Sequence, residues 1–105
     1  MEESLTLIYP IDTAAHYDMD YLVKGMMPDN QKRWHCDSWK VTSFHPDQQS
    51  RPPVYAFAVT MSWGKNASFT MKGSVDVDML TEDMKRFSKK EPIILLGQTV
   101  GTSEG

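Results

Sequence analysis

The chain has one cysteine, Cys36, so no internal disulfide can form and a disulfide-stapled scaffold is excluded. It has no long hydrophobic run. The longest purely aliphatic one is Ile93–Leu96, far short of the roughly 20 residues a membrane span needs. Basic residues form no stripe, only the separate pairs Lys32-Arg33, Lys85-Arg86 and Lys89-Lys90, and the net charge is −3. Nucleic acid is therefore not an expected partner, because phosphate contacts need a basic footprint. Met1-Glu2-Glu3-Ser4 lacks the basic-then-apolar order of a signal peptide, so a cytoplasmic location without membrane attachment is expected. The sequon Asn66-Ala67-Ser68 has meaning only in a secreted chain. CxxC, HxH and HxxxH spacings are missing, as is a Gly-rich phosphate loop, and the letters GxSxG occur only at Gly101–Gly105, in what reads as a loose tail and not a strand-to-helix elbow. No metal, no cofactor, no nucleotide chemistry and no serine-hydrolase chemistry are expected.

What is present is bulk. Eight Met, three Trp, four Tyr and four Phe are many large side chains for 105 residues. A domain this small buries only about two thirds of its unfolded surface, so some of them are expected to close a pocket or a subunit interface. No repeat, low-complexity tract or linker divides the chain, which reads as one domain over 1–105 with a loose tail at 101–105.

Leu5–Tyr9 reads as a strand stopped by Pro10. From Tyr17 the period changes: Met19, Leu22, Val23, Met26 and Met27 follow helical spacing, with Asp12 or Asp18 as cap and Gly25 with Pro28 as end or kink. A second strand fits Trp39–His45, with Trp39, Val41 and Ser43 on one face and Lys40, Thr42 and Phe44 on the other. Pro46–Pro53 reads as a polar loop. Val54–Trp63 is the clearest strand, bulky at Tyr55, Phe57, Val59, Met61 and Trp63 and small on the alternate positions. A short helical stretch at Asn66–Lys72, a Gly73-Ser74 break, and a helix striped by Val77, Leu80, Met84 and Phe87 follow. Pro92 ends that helix, and Ile93–Val100 is the last strand. The order β-α-β-β-α-β predicts an α+β, ferredoxin-like fold: an antiparallel sheet with both helices on one face. The other face needs a cover, and a second copy of the same sheet supplies it, giving a homodimer.

Four stretches resemble the EthD-like family, in its fungal branch, of the dimeric α+β barrel superfamily. They are Leu7-Ile8-Tyr9-Pro10; Tyr17-Asp18-Met19-Asp20-Tyr21 with Met27-Pro28; Ser38-Trp39-Lys40-Val41 with Pro52-Pro53-Val54-Tyr55 and Trp63; and Asp83-Met84-Lys85-Arg86-Phe87 with Pro92 and Gly97. The resemblance implies a homodimer with a mostly apolar pocket beside each sheet. Its relatives include cyclases, decarboxylases, dehydratases, isomerases and cofactor-free oxygenases of aromatic or polyketide-like molecules. Two positions depart from the pattern. Met26 stands where the family usually carries a His two places before its Pro, and Arg86 where Asn is frequent.

Of the three histidines, His35 is paired in sequence with Asp37, a carboxylate that can orient an imidazole, while a polar loop is the plainer alternative. His16 and Tyr21 are further candidates for moving a proton. His45 fits a solvated loop, Cys36 an inert buried thiol, and Lys40 an edge guard. Tyr9, Met26, Trp39, Tyr55, Trp63 and Phe87 are the candidate substrate-binding residues, with ordinary core the favoured reading for Trp63. The expected function is a cofactor-independent lyase, cyclase or isomerase of secondary metabolism, shaping a polyketide-like or aromatic small molecule and stabilising a developing enolate or phenolate. A non-catalytic small-ligand-binding dimer and a cofactor-free oxygenase are the alternatives.

Overall fold

The computed structural model describes residues 2–12, 16–64 and 69–103. In chain order the elements are β1 (Glu3–Pro10), a π-helical segment (Tyr21–Met26) running into α1 (Met27–Trp34), β2 (Ser38–Ser43), β3 (Tyr55–Trp63), α2 (Met71–Ser74), α3 (Val77–Met84) and β4 (Ile93–Gln98). The strands lie in the order β2-β3-β1-β4, every pair antiparallel. This is the ferredoxin-like α+β arrangement expected from the sequence.

Alternation decides the two faces. Leu5, Leu7 and Tyr9 of β1 sit beside Met61, Val59 and Phe57 of β3, and all six are buried with Trp63 under the helices. Leu22, Met26, Met27, Trp34, Leu80, Met84 and Phe87 close the core from the helical side. Buried Asn30 joins α1 to α3, its amide resting on the sulfurs of Met27 and Met84 at 3.8 and 3.7 Å.

On the opposite sheet face, Ile8 pairs with Ala58 and Ile93, and Thr6 with Thr60 and Leu95. Ile93 and Leu95 are 43% and 51% exposed, so this face carries apolar side chains in solvent. Trp39 and Val41 are half-buried while Lys40 and Thr42 are exposed, the division of β2 that its alternation predicts.

Several boundaries differ from the sequence reading. The first helix does not end at Gly25 or Pro28. Asp18 caps it by accepting the Tyr21 N–H at 3.0 Å, and it runs on to Trp34. A proline ring inside an α-helix collides with the carbonyl four residues back. Here the wider π-helical turn precedes it, with the Met27 N–H reaching Leu22 O, and Pro28 occupies the start of α1. Gly73 and Ser74 belong to α2 instead of breaking it, because the Thr70 hydroxyl accepts the Gly73 N–H at 3.0 Å. The part of the Asn66–Lys72 stretch at 66–68, with its sequon, lies outside the described residues. Asp76 caps α3 by accepting from Asp78 and Met79, and the helix stops at Met84, leaving Phe87 on a following turn. β1 includes Pro10, and β2, β3 and β4 are each shorter than their sequence patterns.

Candidate functional site

The aromatic residues at one end of the sheet form two stacked pairs set at right angles. Tyr9 lies on Phe57 at 4.9 Å and 14°, and Tyr17 on Phe87 at 5.8 Å and 19°. Each ring of one pair meets the other pair edge-on, as the ring quadrupoles favour. The Tyr17 hydroxyl donates to Pro10 O at 2.8 Å. The Tyr9 hydroxyl is buried and has no hydrogen-bond partner among the described residues. Burial, reinforced by Tyr17, pushes the Tyr9 phenol well above its ordinary range, so it stays neutral.

A buried hydroxyl without a partner costs stability, so Tyr9→Phe is expected to raise the unfolding free energy by about 1 kcal/mol at neutral pH, read from urea denaturation. A phenol raised in the folded state contributes stability below its unfolded value near ~10, lost as pH rises above it. The Tyr9→Phe protein should therefore lose less stability above pH ~10 than the parent. An unchanged alkaline limb would refute this assignment.

The proton-transfer candidates do not converge. His16 is exposed ahead of the first helix, and Tyr21 is 39% exposed on the π-helical segment, its ring against Gly25. His35 ends α1 in a left-handed conformation (φ 60°), exposed, its ring stacked on Phe69 at 4.1 Å. Asp37 accepts the Gly64 N–H at 2.7 Å. Cys36 is buried between them, and desolvation pushes its thiol up to about 11, which fits an inert sulfhydryl. Met26, Trp63 and Phe87 lie in the core with Tyr9, and Trp39 packs against it half-buried. Tyr55 instead borders an open hollow of ≈ 480 Å³ at the β2–β3 turn, with Phe44, His45 and Val54. Asp83 is bound by Arg86 at 2.7 Å and Arg33 at 3.6 Å. Among the described residues no cluster of three His, Cys, Asp or Glu side chains could hold a metal.

A sheltered cleft among the described residues lies at the other end of the sheet, on its helical side. It is ≈ 350 Å³, within the range of small-ligand sites, and is lined by Glu3, Leu5, Met71, Lys72, Val75, Val77 and Leu96. Antiparallel pairing puts Leu5 beside Leu96 as its floor. The α2–α3 segment forms the facing wall, tied down by the Met71 N–H donating to the Glu3 carboxylate at 3.3 Å. Five apolar side chains thus line the cleft together with the half-buried Glu3 and the exposed Lys72. Such a site can exclude water from a carbonyl compound while offering a base and a cation. None of these residues was among the sequence candidates. The only trace in the sequence is that Glu3 opens a strand whose inward residue is Leu5.

No family model matches the chain, and no curated protein matches it in sequence. Solved structures do match. An EthD-like protein from Ralstonia eutropha superposes with a TM-score of 0.75 at 15% identity, covering 97% of this chain and 95% of that one. An ethyl tert-butyl ether D (EthD) family protein from Bacillus halodurans gives a TM-score of 0.70 at 14% identity, covering 95% of this chain and 100% of that one. Over nearly its whole length, this chain has the fold of EthD-like proteins.

Proposed function

We propose that the chain is a cofactor-independent lyase, cyclase or isomerase of secondary metabolism, acting on an aromatic or polyketide-like carbonyl compound in the Glu3–Lys72 cleft. The observation that carries this reading is a single carboxylate and a single ammonium bordering an otherwise apolar hollow. Glu3 takes a proton from the carbon next to the carbonyl, and Lys72 holds the enolate oxygen that develops. Decarboxylation, dehydration, cyclisation and isomerisation share that intermediate. The affinity to the fungal EthD-like branch rests on the four sequence stretches named above, and the cytoplasmic location in this reading rests on the sequence alone. No helix among the described residues is long and apolar enough to cross a membrane.

The working unit in this reading is a homodimer. Ile8, Ala58, Ile93 and Leu95 form an apolar sheet face that a second copy covers. Native mass spectrometry of the purified protein should give a dimer retaining a small organic molecule. Ala58→Arg places a charge at the middle of that face and should shift the spectrum to monomer. A parent protein that is monomeric at micromolar concentration would sink the dimer. A second reading, a dimer that binds a small ligand without turnover, is favoured by one observation: Glu3 already accepts the Met71 N–H. Deuterium uptake into 2-tetralone, an enolisable aryl-fused ketone that suits the cleft, separates the two. An enzyme accelerates exchange next to the carbonyl, and a binder only shifts the ligand's resonances.

A further inference from the structure

The connection from β3 to α2 is held at both ends by the two residues that the sequence pairs. At its start, Asp37 accepts the Gly64 N–H at 2.7 Å. Asp37 is itself fixed, its N–H donating to Ser62 O at 2.8 Å and its carbonyl accepting from the Gln31 side chain at 3.1 Å. Gly64 has little freedom to change, since a Cβ there would stand 2.9 Å from the Glu2 Cα. At the far end, the His35 ring lies nearly flat on Phe69, at 4.1 Å and 16°.

Phe69 leads directly into the cleft wall. Thr70 caps the turn that follows by accepting from Gly73, and the Met71 N–H donates to the Glu3 carboxylate. Three successive attachments therefore run from the end of α1 to the cleft: ring on ring, hydroxyl to amide, amide to carboxylate.

His35 also occupies a backbone conformation (φ 60°, ψ 31°) in which glycine is the common residue at a helix end. A side chain in that region is strained and persists where surrounding contacts hold it. The contact that distinguishes histidine from glycine here is the ring on Phe69.

We propose that His35 and Asp37 form a two-point clamp on the β3–α2 connection, and that His35 is a positioning residue for the Met71–Lys72 wall of the cleft. Its bearing on turnover rests on the cleft being the active site. The clamp itself is measurable without ligand, so an inert cleft and a missing clamp give different results.

Amide hydrogen exchange on the purified protein tests it. In His35→Gly the backbone is relaxed but the ring is gone, so the Met71 and Gly73 amides should exchange at least tenfold faster. Leu7 and Val59, in the centre of the sheet, should keep their parental rates, which separates release of the clamp from global unfolding. His35→Phe restores a ring and should hold Met71 and Gly73 within about twofold of the parent. Phe69→Ala removes the other half of the stack and should reproduce the His35→Gly pattern, a second route if the left-handed Phe variant does not fold. Unchanged α2 amides in both His35→Gly and Phe69→Ala would overturn the proposal. So would a His35→Phe protein, folded, exchanging as fast as His35→Gly.

Discussion

Replacing Trp63 with alanine is expected to destabilise the protein by about 3–5 kcal/mol, a large part of what a domain of this size possesses. Trp63 ends β3 and is 1% exposed, so truncation opens a cavity among Leu5, Met61 and the first helix. It also breaks a bond that closes that helix. The indole Nε1–H donates at 2.9 Å to the carbonyl of Trp34, in the last turn of α1, where carbonyls have no partner within the helix. Trp63→Phe keeps most of the ring and should cost about 1–2 kcal/mol, chiefly from the deserted buried carbonyl. Urea denaturation of the three proteins separates the cavity from the bond. A Phe variant as unstable as the Ala one would mean that the hydrogen bond dominates. An Ala variant within ~1 kcal/mol of the parent would mean that Trp63 is not a core residue.

The sheet was legible because its period is two and one face is buried. Phe57, Val59, Met61 and Trp63 alternate with Ala56, Ala58, Thr60 and Ser62, a pattern that only one packing satisfies. The continuation of the first helix was not legible. Gly25 and Pro28 are ordinary stop signals, and the π-helical turn that accommodates them depends on local geometry without a sequence mark. Likewise Gly73 reads as a break until the Thr70 cap is seen.

The candidate site was legible least. Its walls come from the start of β1, the end of β4 and the α2–α3 segment, which meet only after the sheet has formed. Glu3 stands in an acidic N-terminal run and Lys72 beside a glycine, and neither belongs to a spaced motif. The sequence pairs His35 with Asp37, and the structure gives the two side chains different neighbours. The left-handed turn at His35 sends its ring to Phe69, while the Asp37 carboxylate turns to Gly64. The likeness to EthD-like structures at 14% and 15% identity follows the same logic. A fold held by alternation and burial tolerates almost any side chains that keep both, so sequences with little in common can share one backbone.

Glu3→Gln is the sharpest test of the cleft, and it is expected to cut deuterium exchange of 2-tetralone by about 10²–10³-fold. The substitution is close to isosteric. A glutamine oxygen can still accept the Met71 N–H, so the α2 wall stays in place and ligand affinity should change little. What disappears is the ability to take up a proton. The loss should accordingly fall on kcat, with KM nearly constant, the signature of an interaction made in the transition state. Lys72→Gln should lose less, about tenfold, because Lys72 is exposed and solvent already screens its charge. The order of the two effects matters more than either magnitude. If Lys72→Gln abolishes exchange and Glu3→Gln does not, the ammonium polarises the carbonyl while another base takes the proton. If both variants exchange as fast as the parent, enolisation does not occur in this cleft. If the parent binds 2-tetralone there without accelerating exchange, the cleft is a ligand-binding site without turnover, and the Glu3 carboxylate serves only to anchor α2 to the first strand.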